Sequence, residues 1–477
     1  MFLFFIYALL AALTVPPARS AELRRIGKVG IVGSGPAGLS LAAALQQLDA
    51  GVQEVCIFEG RDSFLQAKMG GGVQLSGGAV VLEKLGCFDQ LDSVAQPVTS
   101  ILARNAQGRE LLRVDVQQLL SAVQGGRPMF YSIMRDALQK LLFDMSQSGP
   151  TVVKVQGKRE VVSLEEDASS GQVAILFADG GREDGFDMVF GADGIKSVVR
   201  DAVRGGAKSS AADARYTGIK IVYGVTGRDD AFIERPQGRG AFFQWFGDSA
   251  YVLSASYGGL AGVQHMMAIV YRDENRGSET SVTTAENAEW RSSVEKPRSK
   301  RAKLADFLSK AGFTASTGLF SLLEACDEDR FVELAVNDRS APLLGWTSSS
   351  GRLVLLGDAC HAMAPFLGQG ANQALQDSFV LATKVKALNA LAVSGSIPWP
   401  WAISPITPLQ LAMLDYQRIR LLPTAIISIK SGFLGAVETQ GGSLGCFARD
   451  NFFRLTSFLG VAKLVLLSGA LPSIGEK

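Results

Sequence analysis

Short apolar runs recur along the chain and predict the strands of a buried parallel sheet. Four of them, Lys28–Val32, Val55–Phe58, Phe186–Phe190 and Leu353–Leu356, have the length and apolar character of strands that are covered on both faces. The first run leads through a glycine-rich loop into a helical stretch, and the last leads towards a second one at Ala371–Lys384. Strands that alternate with helices predict an open α/β domain.

A different pattern occupies residues 216–271. Apolar and polar residues alternate there, and many are aromatic, as in Phe242–Phe246 and Tyr251–Ser256. This alternation predicts an antiparallel sheet. One face of that sheet could turn towards a bulky apolar substrate, but ordinary sheet packing explains the pattern as well. Residues 272–301 are polar and of mixed charge, which predicts a solvated segment followed by a helix.

Both ends of the chain are apolar. Residues 2–15 form an apolar block that is short for a membrane span, and the small-residue sequence Ala18–Ser20 follows it, which predicts a targeting peptide over residues 1–20. The predicted route is secretory, to the endoplasmic reticulum, to the outside, or to a plastid through a bipartite signal. An uncleaved anchor remains an alternative. At the other end, Phe452–Leu471 predicts either a membrane-surface helix or, our preferred interpretation, a helix packed on the body.

The loop after the first strand carries a G-x-G-x-x-G pattern made by Gly33, Gly35 and Gly38. The first glycine permits a tight turn, the second lets the backbone approach a pyrophosphate, and the third lets helix and strand pack closely. The N-terminus of the following helix offers free N–H groups to phosphates. Glu59, at the end of the second strand, is placed to accept hydrogen bonds from a ribose. Together these features predict an adenine dinucleotide site.

The third and fourth strands each deliver an aspartate between glycines. Asp193 follows Phe186–Phe190 and is followed by Gly194, and Asp358 follows Leu353–Leu356. Carboxyl ends of strands are where an open α/β sheet binds its ligand. The sequence Gly368-Gln369-Gly370 then opens a helix whose N-terminus suits a developing negative charge on a bound ring.

Composition narrows the chemistry further. The 477 residues include 47 Lys and Arg against 46 Asp and Glu, a formal charge of +1 that gives no electrostatic reason to expect nucleic acid. Five cysteines without a C-x-x-C pair and only two histidines argue against a metal site and a disulfide framework. We expect His361 to make a structural hydrogen bond and His265 to lie in a strand. Glycine is abundant at 52 residues, and part of this excess falls in the three motifs.

In this order and spacing, the three motifs resemble those of the group A FAD-dependent monooxygenases, in particular the salicylate hydroxylase-like and zeaxanthin epoxidase-like branches. Gly71–Leu75, Ile133–Leu138 and Asp338–Ser340 add to the likeness, which runs from Lys28 to about Arg420. The fold it implies is α/β: a doubly wound, Rossmann-like FAD domain with an inserted antiparallel β substrate domain and C-terminal helices. The implied division is a FAD domain at 24–100, 128–205 and 335–395, a substrate domain at 101–127 and 206–334, and a Pro-rich loop with C-terminal helices at 396–477.

The resemblance implies roles for particular residues. Those expected to bind FAD are Gly33, Gly35, Pro36, Ala37, Gly38, Glu59, Arg61, Arg135, Asp193, Gly194, Asp358, Gly368, Gly370, Ala371 and Asn372. The backbone N–H groups of Gly370, Ala371 and Asn372 are expected to stabilise the flavin anion. Pro365 is expected to line the oxygen side of the ring without donating a hydrogen bond.

The implied reaction uses NAD(P)H as co-substrate and O2. The reduced flavin forms a C4a-hydroperoxide, which hydroxylates or epoxidises an apolar, electron-rich compound that is either phenolic or isoprenoid. The protein orients the ring and excludes water. The alternative is an FAD-dependent reductase or dehydrogenase of the same fold that does not activate oxygen. The only further partner we expect is a membrane, which the C-terminal segment would contact at its surface.

Overall fold

The computed structural model describes residues 24–63, 71–119, 130–206, 214–227, 240–259, 262–273, 299–339, 345–395 and 406–475. The predicted targeting peptide and the Pro-rich loop at 396–405 lie outside the described residues.

The strands are β1 (Lys28–Val32), β2 (Glu54–Phe58), β3 (Gly72–Leu75), β4 (Gln96–Pro97), β5 (Ser100–Asn105), β6 (Glu110–Asp115), β7 (Tyr131–Met134), β8 (Val152–Gln156), β9 (Val161–Asp167), β10 (Gln172–Phe177), β11 (Arg182–Phe186), β12 (Met188–Gly191), β13 (Arg215–Val225), β14 (Ala241–Phe246), β15 (Ala250–Tyr257), β16 (Gln264–Arg272), β17 (Val332–Asp338) and β18 (Leu353–Leu355). The α-helices are α1 (Pro36–Gln47), α2 (Gly77–Lys84), α3 (Phe88–Val94), α4 (Arg135–Ser146), α5 (Val198–Val203), α6 (Lys300–Lys310), α7 (Leu319–Ala325), α8 (Asp358–His361), α9 (Gly370–Ser394), α10 (Pro408–Glu438), α11 (Gly442–Phe458) and α12 (Val461–Ala470).

Five parallel strands form the first sheet, in the order β18-β12-β1-β2-β8. Its two faces have different covers. Ile31 points towards α1, where it lies beside Gly38, whereas the neighbouring Gly30 faces Ile175 of β10. Helices α1, α4 and α9 pack together on the first side, and the antiparallel sheet β9-β10-β11 covers the other. The carboxyl ends of β1, β2, β12 and β18 therefore meet at one edge, as the sequence predicts for a ligand site.

The predicted strand at Phe186–Phe190 is in fact two strands, because Asp187 interrupts it. Its Oδ2 accepts hydrogen bonds from the backbone N–H groups of Gly27 (2.8 Å) and Lys28 (3.0 Å). Its own N–H donates to the carbonyl of Lys28 at 2.8 Å. The aspartate thus anchors the start of β1, and β11 and β12 belong to different sheets.

A second large sheet has seven strands in the order β17-β13-β16-β15-β14-β5-β6. The strands between residues 215 and 272 pair antiparallel with one another, as predicted. The pairing between β14 and β5 is parallel, so the sheet is mixed rather than wholly antiparallel. His265 lies buried in β16, where a strand residue was expected. The small sheet β3-β7-β4 lies at the side of β15.

Three helices complete the described chain. A capping box opens α10: Thr407 Oγ1 accepts from the N–H of Gln410, and Gln410 Oε1 accepts from the N–H of Thr407. The apolar stretch Phe452–Leu471, predicted as one helix, is divided between α11 and α12, which meet at an angle of 77°. Gly460, with φ of +72°, makes this bend possible.

Candidate functional site

The first glycine loop has the tight geometry that its sequence predicts. Gly33 has φ of +99°, and a Cβ there would lie 2.5 Å from the carbonyl oxygen of Ala192. A Cβ on Gly38 would overlap the carbonyl oxygen of Gly33. Both positions therefore require glycine, one for its backbone conformation and the other because strand and helix pack in direct contact.

Gly35 differs from these two glycines because nothing crowds it. It is the N-cap of α1 with an extended backbone (φ −67°, ψ −179°), and a Cβ built on it would meet no described atom within 4 Å. Pro36 and Ala37 form the first turn of the helix, where free N–H groups and the positive end of the dipole lie. A helix N-terminus that opens onto space is suited to a pyrophosphate.

Glu59 is held against this loop by its own hydrogen bonds. Its Oε2 accepts from the N–H of Ser34 at 3.1 Å and from Ser34 Oγ at 2.6 Å, and its Oε1 accepts from the N–H of Arg61 at 3.1 Å. The carboxylate therefore lies beside the glycine loop, where a ribose is expected. Arg61 is exposed at the margin of the site, and its positive charge helps to lower the pKa of Arg135.

Asp193 has a structural task and one free oxygen. Its Oδ2 accepts from the N–H groups of Val198 (2.7 Å) and Val199 (3.3 Å) at the start of α5. Its Oδ1 is buried and has no partner in the part of the chain that the structure describes. Burial raises the pKa of this carboxyl group. Gly194, with φ of +75°, follows it in open space. An unpartnered buried oxygen at this edge fits contact with a bound cofactor.

Asp358 and Arg135 are near enough for their charges to affect each other. Burial raises the pKa of Asp358, and the charges of His361 and Arg135 oppose that shift. Burial lowers the pKa of Arg135, while the Asp358 charge opposes it. Protein atoms surround Asp358 closely, yet its side chain is accessible to solvent, so it faces an internal cleft. A Cβ on Gly370 would lie 4.0 Å from its Oδ1.

The loop before α9 brings the remaining predicted residues together. Pro365 begins a short 3₁₀ turn and is exposed, and Gly368 closes the turn with φ of +61°. Helix α9 then starts at Gly370, so the backbone N–H groups of Gly370, Ala371 and Asn372 have no acceptor within the helix. They lie on the side of Asp358, where they can stabilise an anion.

The side chain of Asn372 does not share this role, because all its hydrogen-bonding capacity is used within the protein. Oδ1 accepts from the N–H groups of Ser76 (2.7 Å) and Gly78 (2.9 Å), and Nδ2 donates to the carbonyls of Gln74 (2.8 Å) and Gly368 (2.9 Å). Asn372 therefore ties the segment before α2 to the start of α9. Any contact it makes with a bound ring comes from its backbone.

Behind the site lies a buried charge cluster that the motifs did not reveal. Asp377 of α9 is fully buried; its Oδ2 accepts from the N–H of Gly357 (3.0 Å) and contacts His361 Nε2 (2.6 Å), and its Oδ1 accepts from Arg420 Nε (2.8 Å). Burial acts against the charge of Asp377, but His361 and Arg420 lower its pKa overall. The expected structural role of His361 agrees with this geometry.

Cys360, His361 and Asp377 bring three groups that can ligate metals within 4.8 Å of one another. Both oxygens of Asp377 already hold protein donors, and a cation would meet the charge of Arg420. The cluster therefore supports the turn that carries Asp358 rather than binding a metal.

Aromatic residues of the seven-stranded sheet pack against Gly71 and Gly72, and sequence reasoning named none of them as substrate contacts. A Cβ on Gly71 would overlap the ring of Tyr223, and one on Gly72 would overlap the ring of Tyr257. The N–H of Gly72 donates to the sulfur of Met266 at 2.7 Å. The alternation in residues 216–271 was the available signal, but it cannot show which face meets the cleft.

Comparisons with known proteins agree with this geometry. The FAD binding domain family matches residues 27–305 and 344–392, more than half of the chain. A 3-amino-4-hydroxybenzoate 2-monooxygenase of Streptomyces platensis is 29% identical over 359 residues, covering 74% of this chain and 78% of the relative. A chloroplastic zeaxanthin epoxidase of Nicotiana plumbaginifolia is 28% identical over 402 residues, covering 81% of this chain and 53% of the relative.

Among solved structures, Klebsiella pneumoniae HpxO complexed with FAD and uric acid superposes with a TM-score of 0.69 at 20% identity, covering 93% of this chain and 98% of that one. This likeness shows a shared fold. The individual roles of the site residues remain predictions that the geometry permits.

Proposed function

Because the chain belongs to the group A FAD-dependent monooxygenases, which are FAD-binding oxidoreductases, we propose that it uses NAD(P)H and O2 to hydroxylate or epoxidise an apolar, electron-rich substrate. The observation that carries the proposal is the edge of the cleft formed by the open N-terminus of α1, Asp358 and the free N–H groups at the start of α9. Tyr223, which is partly exposed beside Gly71, adds aromatic surface near Arg135, which favours an apolar compound, whereas Tyr257 and Met266 are buried.

The residues of the cleft fit FAD. The N-terminus of α1 at Gly35 would hold the pyrophosphate, Glu59 would accept from the ribose, and Asp193 Oδ1 and Asp358 would offer further acceptors. When bound and reduced by NAD(P)H, FAD supplies the electrons that activate O2 for transfer of one oxygen atom.

The chain's own contribution to the reaction is positioning and charge stabilisation. The N–H groups at the start of α9, at Gly370 and Ala371, stabilise negative charge on the ring side of the cleft. Pro365 lines the adjacent surface without an N–H group that could divert a proton. Phe366, which is buried beside it and lies 6.4 Å from the ring of Tyr251, helps to keep water out.

The relatives suggest two substrate classes. The Streptomyces platensis relative is named for an aminohydroxybenzoate and the Nicotiana plumbaginifolia relative for a carotenoid. A phenolic compound and an isoprenoid both offer an electron-rich carbon centre to an electrophilic oxygen. A plastid destination, if the N-terminal segment directs one, favours the isoprenoid.

The proposal can be tested with purified, FAD-loaded protein and labelled oxygen. Candidate phenols and carotenoids are supplied with NADH or NADPH under ¹⁸O2, and consumption of the nicotinamide and product mass are followed together. We expect a substrate to accelerate NAD(P)H oxidation and to gain one labelled oxygen atom. If the substrate is instead reduced under anaerobic conditions, and the product formed in ¹⁸O2 carries no label, the reductase or dehydrogenase alternative is supported.

A further inference from the structure

The C-terminal helices carry most of the exposed apolar surface of the described chain. Of the 16 large hydrophobic residues that are exposed, 13 fall between Leu414 and Leu471. Isolated exposed apolar side chains are common on soluble proteins, but contiguous patches mark interaction surfaces. The concentration of these residues in α10, α11 and α12 therefore requires an explanation.

The exposed residues follow helical spacing. On α10 they are Leu414, Leu422, Ile426, Ile429 and Phe433, and the last four recur at intervals of three and four residues, which places them on one face. Arg418 lies on the same stripe, one turn after Leu414 and one turn before Leu422, and it is 81% exposed.

The faces of the three helices adjoin. The ring of Phe433 on α10 lies 6.0 Å from the ring of Phe452 on α11, and Lys430 Nζ contacts Ser468 Oγ on α12 at 3.3 Å. Phe447 and Phe458 on α11 are 68% and 86% exposed, which is extreme for aromatic rings. We call the exposed apolar residues of these three helices the C-terminal apolar surface.

Three unpaired cations lie on the helices that carry this surface, while Asp248 accepts from the N–H of Gly442 at the start of α11 and Asp415 of α10 is paired with Lys384 and Arg418. Lys430, Arg454 and Lys463 have no carboxylate within ion-pair distance among the described residues. The two carboxylates of the same helices after residue 421 are not available, since Glu438 is buried and Asp450 is paired with Arg449 at 3.0 Å. An apolar face with three unpaired cations complements an anionic lipid surface. Two copies of the chain meeting through this face would bring like charges together.

Helix α10 cannot cross a bilayer in this fold, although it is long and apolar enough to do so. Arg420 bonds Asp377, Ser431 Oγ donates to the carbonyl of Ala364 at 2.6 Å, and Glu438 accepts from Gln244 at 3.2 Å. These contacts are spread along the whole helix and bind it to the body.

We propose that the C-terminal apolar surface docks this protein onto one leaflet of an anionic membrane without crossing it. The helices that carry this surface contact the elements of the candidate site through their opposite, buried faces. Gly469 of α12 accepts from Ser76 Oγ at 3.0 Å, and a Cβ on Gly435 of α10 would overlap the ring of Phe366. An apolar substrate taken from the membrane would reach the cleft past these helices, a consequence that rests on the proposed function, whereas docking itself does not.

The first test measures binding of the full-length FAD-loaded chain to vesicles of phosphatidylcholine with and without phosphatidylglycerol. Changing Ile429, Phe447 and Phe458 together to Ser is expected to lower the partition constant at least about 100-fold. Changing Lys430, Arg454 and Lys463 to Gln is expected to lower binding to the anionic vesicles about fivefold per charge. Bound flavin absorbance reports that each variant is folded.

The second test locates the contact. A Phe447→Trp variant is expected to lose fluorescence with vesicles of brominated phospholipid, while a Val393→Trp variant, at a position 76% exposed but outside the C-terminal helices, is not. Absence of quenching at position 447 would overturn the proposal. So would conversion of an oligomer to a monomer by the Ser variant in the absence of lipid, because that result would identify a second copy as the occupant.

Discussion

Glu438 offers a sharp test of the packing between the C-terminal helices and the seven-stranded sheet. This last residue of α10 is fully buried, and Gln244 Nε2 of β14 donates to its Oε1 at 3.2 Å. Its Oε2 is buried with no well-aligned hydrogen bond among the described residues, and the Tyr251 hydroxyl is the nearby polar group that acts on the carboxyl. Burial raises the pKa of Glu438 to about 8, with Tyr251, Gln244 and Arg449 acting in the opposite direction.

The sign and size of the effect follow from linkage. The ordinary pKa of the group is 4.5, so between that value and about 8 the folded protein holds one proton more than the unfolded chain. The free energy of unfolding therefore falls as the pH rises through this window, at about 1.4 kcal/mol per pH unit. Below this window the carboxyl group is protonated in both states, so its ionisation does not lower the free energy of unfolding. Above it the cost reaches an upper limit of about 5 kcal/mol.

Glu438→Gln keeps the shape of the side chain and removes its titration. We expect the variant and the parent to have nearly equal free energies of unfolding at about pH 5, and the variant to be more stable by several kcal/mol at about pH 9. Urea unfolding in excess FAD across this range measures the difference. Glu110→Gln is the control, because that carboxylate is exposed and paired with Arg113, and its removal should change stability by less than about 1 kcal/mol. Parallel stability curves for the parent and Glu438→Gln would refute the reasoning.

Further predictions concern the cofactor cleft. Gly38→Ala should lower the free energy of unfolding by about 1 to 3 kcal/mol, because its methyl group meets the backbone oxygen of Gly33. Gly35→Ala should leave the free energy of unfolding unchanged and weaken FAD binding about tenfold or more, because its methyl group enters only the open space at the start of α1. If Gly35→Ala and Gly38→Ala had equal effects in urea unfolding, the different roles assigned to the two glycines would be contradicted. Asp358→Ala should yield protein without bound flavin, and an absorbance spectrum showing full flavin content would count against its assignment. Asp377→Asn should cost about 3 to 5 kcal/mol in urea unfolding, because it leaves a buried guanidinium without its anion, and flavin retention should fall with it; a stable variant would show that the buried pair contributes little.

Local features of the sequence were sufficient to predict the glycine loop and the edge of the sheet where the site lies. Gly33, Gly35 and Gly38 act within six residues of one another, so their spacing alone reveals the turn and the close packing. Asp193 and Asp358 follow buried strands, and parallel strands bring their carboxyl ends to one edge. The fold and the family were predicted on these grounds and are confirmed.

Other features depend on residues that are distant in sequence, and only the tertiary structure decided them. Arg420 meets Asp377 across 43 residues, and Asn372 meets Ser76 across 296, so no local pattern reveals either contact. The strand break at Asp187 depends on its hydrogen bonds to the start of β1.

The sequence by itself determined what kind of chemistry this protein supports, because phosphate binding by glycine loops and helix ends is a local property of the backbone. It also showed that the C-terminal segment is apolar. Whether that apolar surface is buried depends on which faces of the helices pack against the rest of the protein. Burial is therefore decided by the folded chain. Only the tertiary structure could show that α10 is bound to the body by Arg420, Ser431 and Glu438 while its opposite face stays open to a partner.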